Sequence, residues 1–149
     1  MDFLARREHS LYELEHKLRR KFLVADTSLI REVLTHLEEE NLLSDTRFTE
    51  SYIRYKKERG FGYLKIREDL IAKGIDHKII EGKLLVDDEW LAIIHRVIYK
   101  KVSDYKTITV KSRERSKLIR FLMMRGFKMD EISEAVSYTH LTLPTICSV

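Results

Sequence analysis

Residues 56–75 read KKERGFGYLKIREDLIAKGI, and the three glycines of this stretch decide how the fold is interpreted. A dinucleotide-binding loop needs G-x-G-x-x-G between a strand and a helix, but Lys65 stands where the third glycine belongs. The G-K-[ST] of a P-loop is also missing from the sequence. The residues before Gly60 are charged and unlike a buried strand. We therefore predict that Gly60, Gly74 and the later Gly126 end helices in the left-handed conformation, and that Gly62 lies at the start of the next helix.

The sequence repeats itself with a period of 52 residues. KIREDLIAKGI at 65–75 aligns with KLIRFLMMRGF at 117–127, and ELEHKLRRKFL at 13–23 is a more divergent first copy. Apolar residues recur at three matched positions: Leu14, Ile66 and Leu118; Leu18, Leu70 and Leu122; Leu23, Ile75 and Phe127. A fixed long period is typical of a repeat array, and this length suits three short helices with their loops. We predict an all-α protein of tandem three-helix repeats, with about nine helices in an elongated or curved array.

Cap residues and periodicity predict the helix boundaries. Ser10 is expected to cap a helix over 11–21, Asp26 or its neighbours one reaching about Glu40, and Asp45 or Thr46 one ending before Gly60. The later helices are expected over 63–73, 77–85, 88–101, 113–125 and 129–136, with a loop over Ser103–Val110. The repeats are therefore predicted at 1–43, with a shortened first helix, at 44–86 and at 87–136.

The last residues differ in composition from the rest of the chain. After Glu134 the sequence contains no Asp, Glu, Lys or Arg, and SYTHLTLPTICSV cannot continue an amphipathic helix past Pro144. We interpret residues 137–149 as a non-native tail, derived from a vector or a sequencing read, and expect it to add little to stability or binding.

Composition argues against several classes of protein. Charged residues make up 35% of the chain, with one proline and five glycines, which favours helices over a β-sandwich or barrel. There is no 18-residue apolar run and no apolar segment in MDFLARREHS, so we expect a cytoplasmic protein with neither a membrane span nor a secretory signal. A single cysteine and the absence of an i, i+4 histidine pair argue against a metal site. We expect no cofactor and no catalytic residues, and hence no enzyme.

Basic residues are the only enriched chemistry. Eleven Lys or Arg stand against two acidic residues between Arg96 and Lys128, whereas seven acidic residues stand against two arginines between Asp26 and Glu50. The predicted helix over 113–125 combines an apolar face with a row of cations. Such a surface binds phosphates or carboxylates, so nucleic acid or an acidic protein surface is indicated. A solvated helix face remains the alternative.

Three segments resemble one known family. They are LARREHSLYELEHKL, then NLLSDTRFTESYIRYKKERGFGYLKIREDLIAKGI, then KLIRFLMMRGF followed by MDEI. Together they are similar to RecX, the bacterial regulatory protein that modulates the RecA recombinase, from about Leu4 to Val136. The most specific parts are REHS followed by EL-x-x-KL, the D-x-RF of Asp45–Phe48, and RGFG with the helix that follows. The family is all-helical and built from three-helix repeats.

The resemblance implies a monomeric, non-enzymatic protein that binds the RecA–DNA filament in DNA repair and recombination. It also implies inhibition of recombinase and ATPase activity, and contacts to single- or double-stranded DNA. The alternative is a helical DNA-binding module without a recombinase partner. Arg47 and Arg67 match the family pattern and are the two residues of that pattern that can be argued as contacts. For Arg47 the alternative is a local bond to Asp45. The basic residues expected to line one concave face are Lys56, Lys57, Arg59, Lys65 and Arg67 with Arg113, Arg115, Lys117 and Arg120.

Overall fold

The computed structural model describes residues 3–101 and 113–137, and every regular element within these ranges is a helix. In chain order the helices are α1 (Phe3–Arg6), α2 (Leu11–Lys21), α3 (Thr27–Glu39), α4 (Asp45–Glu58), α5 (Tyr63–Ala72), α6 (His77–Lys83), α7 (Trp90–Lys101), α8 (Arg113–Met124) and α9 over 129–137. The predicted all-α fold is thereby confirmed. Among the described residues, no helix is long and apolar enough to cross a membrane. The predicted loop over Ser103–Val110 and residues 138–149 of the predicted tail lie outside the described residues.

Side-chain caps fix where the helices begin. Ser10 caps α2 and Asp26 caps α3, each accepting a backbone N–H that has no partner inside its helix. The cap of α4 lies one residue before the predicted Asp45, because the Oγ of Ser44 accepts the N–H of Arg47 at 3.3 Å. Local chemistry thus predicted the starts of α2, α3 and α4 to within a residue, whereas α7 begins at Trp90, two residues after the predicted start at 88.

The glycines end helices and allow backbones to meet. Gly60, Gly74 and Gly126 have φ values of +79°, +74° and +91°, the left-handed region predicted for all three. Gly62 has another reason to lack a side chain. Its N–H donates to the Arg125 carbonyl at 2.8 Å, and a Cβ at position 62 would lie 2.6 Å from the backbone of Gly126. In the GFG segment, Gly60 therefore ends a helix and Gly62 allows a close contact between two backbone segments.

The repeat register predicts most of the core. Six matched residues are at most 4% exposed: Leu14, Leu18, Ile66, Leu70, Leu118 and Leu122. The third matched position behaves differently, because Ile75 and Phe127 are buried whereas Leu23 is 85% exposed. A left-handed glycine precedes each of the two buried residues. The first copy has Phe22 there instead, at a φ of −115°, since a residue with a side chain avoids the left-handed region.

The chain packs as two units. We call them the N-terminal unit, which comprises Met1–Tyr55 and Arg67–Leu84, and the C-terminal unit, which comprises Lys56–Ile66 and Leu85–Val149. Helices α4 and α5 each contribute residues to both units. The three repeat boundaries predicted from the sequence remain a prediction, because this division does not test them.

The motifs that carry the resemblance join segments of the N-terminal unit. α2 and α3 enclose a core formed by Leu14, Leu18, Ile30, Leu34 and Leu43. Around it, the Oγ of Ser10 donates to the Lys73 carbonyl at 2.9 Å, and the Oδ1 of Asp45 accepts the Leu11 N–H at 2.8 Å. Residues of the REHS, D-x-RF and KGI sequences therefore form hydrogen bonds that join segments distant in the chain.

His9 is the buried polar centre of this arrangement. Its side chain is 2% exposed, its Nδ1 donates to the Arg7 carbonyl at 3.0 Å, and its Nε2 accepts from the Lys17 Nζ at 2.8 Å. Burial lowers the pKa of His9, and the neighbouring charges of Arg7 and Lys17 lower it further. The neutral ring is thus a structural component of the N-terminal unit.

Candidate nucleic-acid interface

Charge is divided unequally between the two units. The C-terminal unit has 15 Lys or Arg against 9 Asp or Glu, a formal net charge of +6. The N-terminal unit has 13 against 15, a formal net charge of −2. Eight of the ten predicted contact residues belong to the C-terminal unit: Lys56, Lys57, Arg59, Lys65, Arg113, Arg115, Lys117 and Arg120. An anionic partner is therefore attracted mainly to the C-terminal unit.

A cation–aromatic cluster forms around the turn between α4 and α5. The Lys56 Nζ lies 4.2 Å from the centroid of the Phe61 ring, and the Arg125 Cζ lies 4.6 Å from it. Arg125 is also tied to this turn by a hydrogen bond from its Nη1 to the Arg59 carbonyl at 2.8 Å. The negative face of an aromatic ring attracts a cation without neutralising it, so the charge of Arg125 is retained at this turn.

The same cluster continues along α7 and α8. Arg125 lies 5.0 Å from the Phe121 centroid, and the Lys101 Nζ lies 4.1 Å from it. Cations and rings thus alternate from Lys56 through Phe61, Arg125 and Phe121 to Lys101, the five residues to which the name cation–aromatic cluster refers below. Rings of this size restrict the rotamers of the cations, and ordered cations lose less entropy on binding phosphate.

Helix α8 adds a second set of cations to the same unit. Arg113, Lys117 and Arg120 are exposed and recur at i, i+4 and i+7, while Leu118 and Leu122 are buried. No carboxylate in the described part of the chain forms an ion pair with these three side chains. Arg115 is half-buried. Because α8 rises about 1.5 Å per residue, the exposed row spans about 10 Å, which is long enough to contact more than one phosphate.

Lys57 is used within the fold. It forms an ion pair with Asp88 and lies 5.0 Å from the centroid of the Trp90 ring. The hydrogen bond from Lys57 holds the pKa of Asp88 below its ordinary value. Trp90 is 1% exposed and its Nε1 donates to the Leu85 carbonyl at 2.9 Å, so it is a core residue. A contact between Lys57 and a partner stays a prediction that requires this ion pair to be exchanged.

The Arg47 guanidinium makes three hydrogen bonds within the fold. Its Nε donates to the Glu8 Oε1 at 2.9 Å, and its Nη1 donates to the carbonyl and to the Oδ1 of Asn41 at 2.8 and 2.9 Å. These bonds replace the local bond to Asp45 that the sequence suggested. Arg67 lies half-buried on α5. The roles of Arg47 and Arg67 as contacts to a partner stay predictions.

The sequence did not single out Lys101 and Arg125 as site residues. Arg125 directly precedes Gly126 in the 117–127 repeat segment, where it resembled an ordinary cation at a helix end. One signal was present: Lys21, Lys73 and Arg125 are each 52 residues apart. All three lie over aromatic rings, at 5.7 Å from Phe22 for Lys21, 6.0 Å from Phe48 for Lys73 and 4.6 Å from Phe61 for Arg125. The repeat alignment alone therefore shows that each copy has a cation at this position.

Comparison with known proteins agrees with this architecture. Residues 44–84 match the family model for RecX, second three-helix domain, and residues 87–136 match that for RecX, third three-helix domain. The Regulatory protein RecX of Pseudomonas entomophila (strain L48) is 39% identical over 138 residues, which are 92% of this chain and 86% of the relative. That of Pseudomonas fluorescens (strain SBW25) is 38% identical over the same shares.

A solved structure shows the same fold. The crystal structure of RecX from Lactobacillus salivarius matches with a TM-score of 0.78 at 25% identity, covering 94% of this chain and 91% of that chain. Fold and family matches define a helical regulatory protein assembled from three-helix domains. The chain belongs to the RecX family. The predicted resemblance and the predicted helical-repeat fold are confirmed.

Proposed function

We propose that this protein binds the RecA–DNA filament and inhibits the recombinase and ATPase activities of RecA, as a non-enzymatic regulator in DNA repair and recombination. Membership of the RecX family supports the regulatory role. The observation that carries the proposal is the cation–aromatic cluster, together with the exposed cations of α8, on a unit with a formal net charge of +6. This unit supplies ordered cations for the phosphates of a nucleic acid.

Phosphate binding is favoured over binding to an acidic peptide by the way the cations are distributed. Arg113, Lys117 and Arg120 follow one helix face, and the cluster adds cations with ring-restricted positions. A nucleic-acid backbone offers regularly spaced anions and releases its counterions when cations replace them. The aromatic rings orient the cations in this proposal. They are half-buried and are not assigned to base stacking.

A helical DNA-binding module without a recombinase partner is the second candidate, and the same cations favour it. One experiment separates the two functions: the DNA-dependent ATPase activity of RecA on single-stranded DNA, measured with increasing amounts of this protein. We expect the rate to fall as the protein approaches and exceeds RecA in concentration. An unchanged rate at several-fold excess, with binding to bare DNA intact, would favour the DNA-binding module.

A matched pair of variants makes the ATPase experiment specific to the proposed surface. Lys117→Gln with Arg120→Gln removes two exposed cations from α8, and Arg31→Gln with Lys78→Gln removes two exposed cations from the N-terminal unit. Inhibition should require more of the first variant and follow the wild type for the second. Equal weakening by both pairs would indicate a response to net charge alone.

A further inference from the structure

The turn between α2 and α3 exposes apolar side chains. Phe22, Leu23 and Val24 are 49%, 85% and 100% exposed, and Leu29 on the first turn of α3 is 54% exposed. Single exposed apolar residues are ordinary on a protein surface, but three in succession at the end of a turn form a patch that needs an explanation. We call residues 22–24 the apolar turn.

The repeat shows that this exposure is a departure from the fold's own pattern. Leu23 occupies the register of Ile75 and Phe127, which are 5% and 2% exposed. The core of the N-terminal unit does not need Leu23, because the partly buried Ala25 packs against that core instead. An apolar residue kept at a position where burial is not required fits a role in binding.

The apolar turn is also held in a defined conformation. The Phe22 N–H donates to the Leu18 carbonyl at 2.8 Å, and the Ala25 N–H donates to the Phe22 carbonyl at 3.1 Å. Asp26 then caps α3 by accepting the Ser28 N–H. Hydrogen bonds on both sides of the turn reduce the entropy that it loses on binding.

The charges beside the turn indicate the chemistry of its partner. Arg19, Arg20 and Lys21 precede it directly, and the Lys21 Nζ lies 5.7 Å from the Phe22 ring centroid. Arg19 is paired with Glu15 at 2.6 Å, whereas Arg20 is exposed. An apolar projection with a cationic edge is complementary to an apolar pocket with carboxylates on its rim. A DNA backbone has no such pocket.

We propose that the apolar turn inserts into an apolar, acid-rimmed pocket on the protein component of the filament, which is RecA under the proposed function. The N-terminal unit thereby contributes the protein contact, and the C-terminal unit contributes the nucleic-acid contact. The inference rests on the proposed function for the identity of its partner.

The chain offers a matched control for the test. Leu23→Ser with Val24→Ser removes the apolar surface of the turn, and Leu85→Ser with Val86→Ser makes the same chemical change at a second exposed Leu-Val pair, 55% and 47% exposed. Full-length variants are titrated onto RecA filaments assembled on a labelled single-stranded oligonucleotide and, separately, onto the bare oligonucleotide. Circular dichroism melting confirms that each variant is folded.

We expect the Leu23 and Val24 variant to bind filaments about tenfold or more weakly and bare DNA within about twofold of the wild type. The control pair should leave both affinities within about twofold. Arg20→Glu should weaken filament binding alone, since it reverses the charge that faces the acidic rim. If the wild type does not bind filaments, the proposed function is refuted. If the Leu23 and Val24 variant binds filaments with wild-type affinity, only the docking role of the apolar turn is refuted.

Three other outcomes would assign the turn to a different partner and overturn the inference. Equal loss on bare DNA would show that the turn contacts nucleic acid. Co-sedimentation of the wild type, but not of the variant, with vesicles of phosphatidylglycerol would show a membrane contact. A wild-type dimer in size-exclusion chromatography with light scattering that the variant lacks would show pairing with a second copy.

Discussion

The two units use equivalent cations in opposite ways. Lys73 in the N-terminal unit and Arg125 in the C-terminal unit are separated by one repeat of 52 residues, and each precedes a left-handed glycine. Lys73 donates to the Glu13 Oε1 at 2.5 Å, so its charge is neutralised within the fold. Arg125 instead donates to a backbone carbonyl and lies over two aromatic rings, so its charge is retained.

Other cations differ between the units in the same way, with one exception. In the N-terminal unit Arg7 also pairs with Glu13 at 3.1 Å, and Arg47 pairs with Glu8 at 2.9 Å. In the C-terminal unit Lys101 lies over an aromatic ring, whereas Lys57 is ion-paired with Asp88. A repeat can therefore keep its backbone register while the cation at a matched position changes from an ion pair within the fold to a contact with aromatic rings. Net charge alone would not have revealed this division.

The largest expected effect comes from the glycine that follows Arg125. Gly126→Ala places a Cβ against the backbone of Lys65 and forces a side chain into the left-handed region, at a φ of +91°. We expect it to lower the free energy of unfolding by about 3 kcal/mol or more, measured by urea denaturation.

Gly82→Ala is the matched control for this change. Position 82 lies in α6 with nothing within 4 Å of the added Cβ. It should stabilise the protein by about 0.5–1 kcal/mol, because alanine loses less backbone entropy than glycine in a helix. Similar destabilisation by both substitutions would contradict the close contact in the C-terminal unit.

The next effect concerns the charges that the N-terminal unit neutralises. Burial alone would raise the pKa of Glu13, but hydrogen bonds from Lys73 and Arg7 outweigh it and hold the pKa below its ordinary value of 4.5. The folded state therefore binds a proton less readily than the unfolded chain does. The stabilisation is complete above the ordinary pKa and is lost as the pH falls through the lower pKa of the folded protein.

Glu13→Gln should remove that contribution, costing about 1–3 kcal/mol at neutral pH because it leaves two cations without their carboxylate. The stability of the variant should consequently depend less on pH below about 4.5 than that of the wild type. Urea denaturation at several pH values measures both effects. Glu32→Gln, at an exposed position on α3, is the control and should retain the wild-type dependence.

Sequence reasoning succeeded where the determinants are local. Periodicity and the repeat register placed Leu14, Ile66 and Leu118 in the core, since a helix fixes which side chains share a face. Sequence reasoning did not predict which residues contact each other in the tertiary structure. The carboxylates that bind Arg47 and Lys73 lie 39 and 60 residues away, so no local pattern distinguishes these cations from those left for a partner.

Leu23 shows a second limit. The repeat register aligns Leu23 with the buried Ile75 and Phe127, but register transfers burial only where the backbone turns in the same way. Phe22 replaces the glycine there, so the chain leaves α2 with a different direction and Leu23 becomes exposed. The sequence already shows that the first repeat copy lacks this glycine. The exposure of the apolar turn follows from that difference.

The smallest effect tests the comparison between Lys73 and Arg125 directly. Removing one phosphate contact lowers the slope of log affinity against log salt concentration by about one unit. Arg125→Gln should therefore weaken binding to bare single-stranded DNA and flatten its salt dependence. Lys73→Gln removes the same charge from a cation already neutralised by Glu13, so the slope should not change while the free energy of unfolding falls by about 1 kcal/mol. Fluorescence anisotropy across a salt series measures the slopes. Equal slopes for the two variants would mean that the ring-bound arginine is no more available to phosphate than its ion-paired counterpart, and the cation–aromatic cluster would then be a structural feature only.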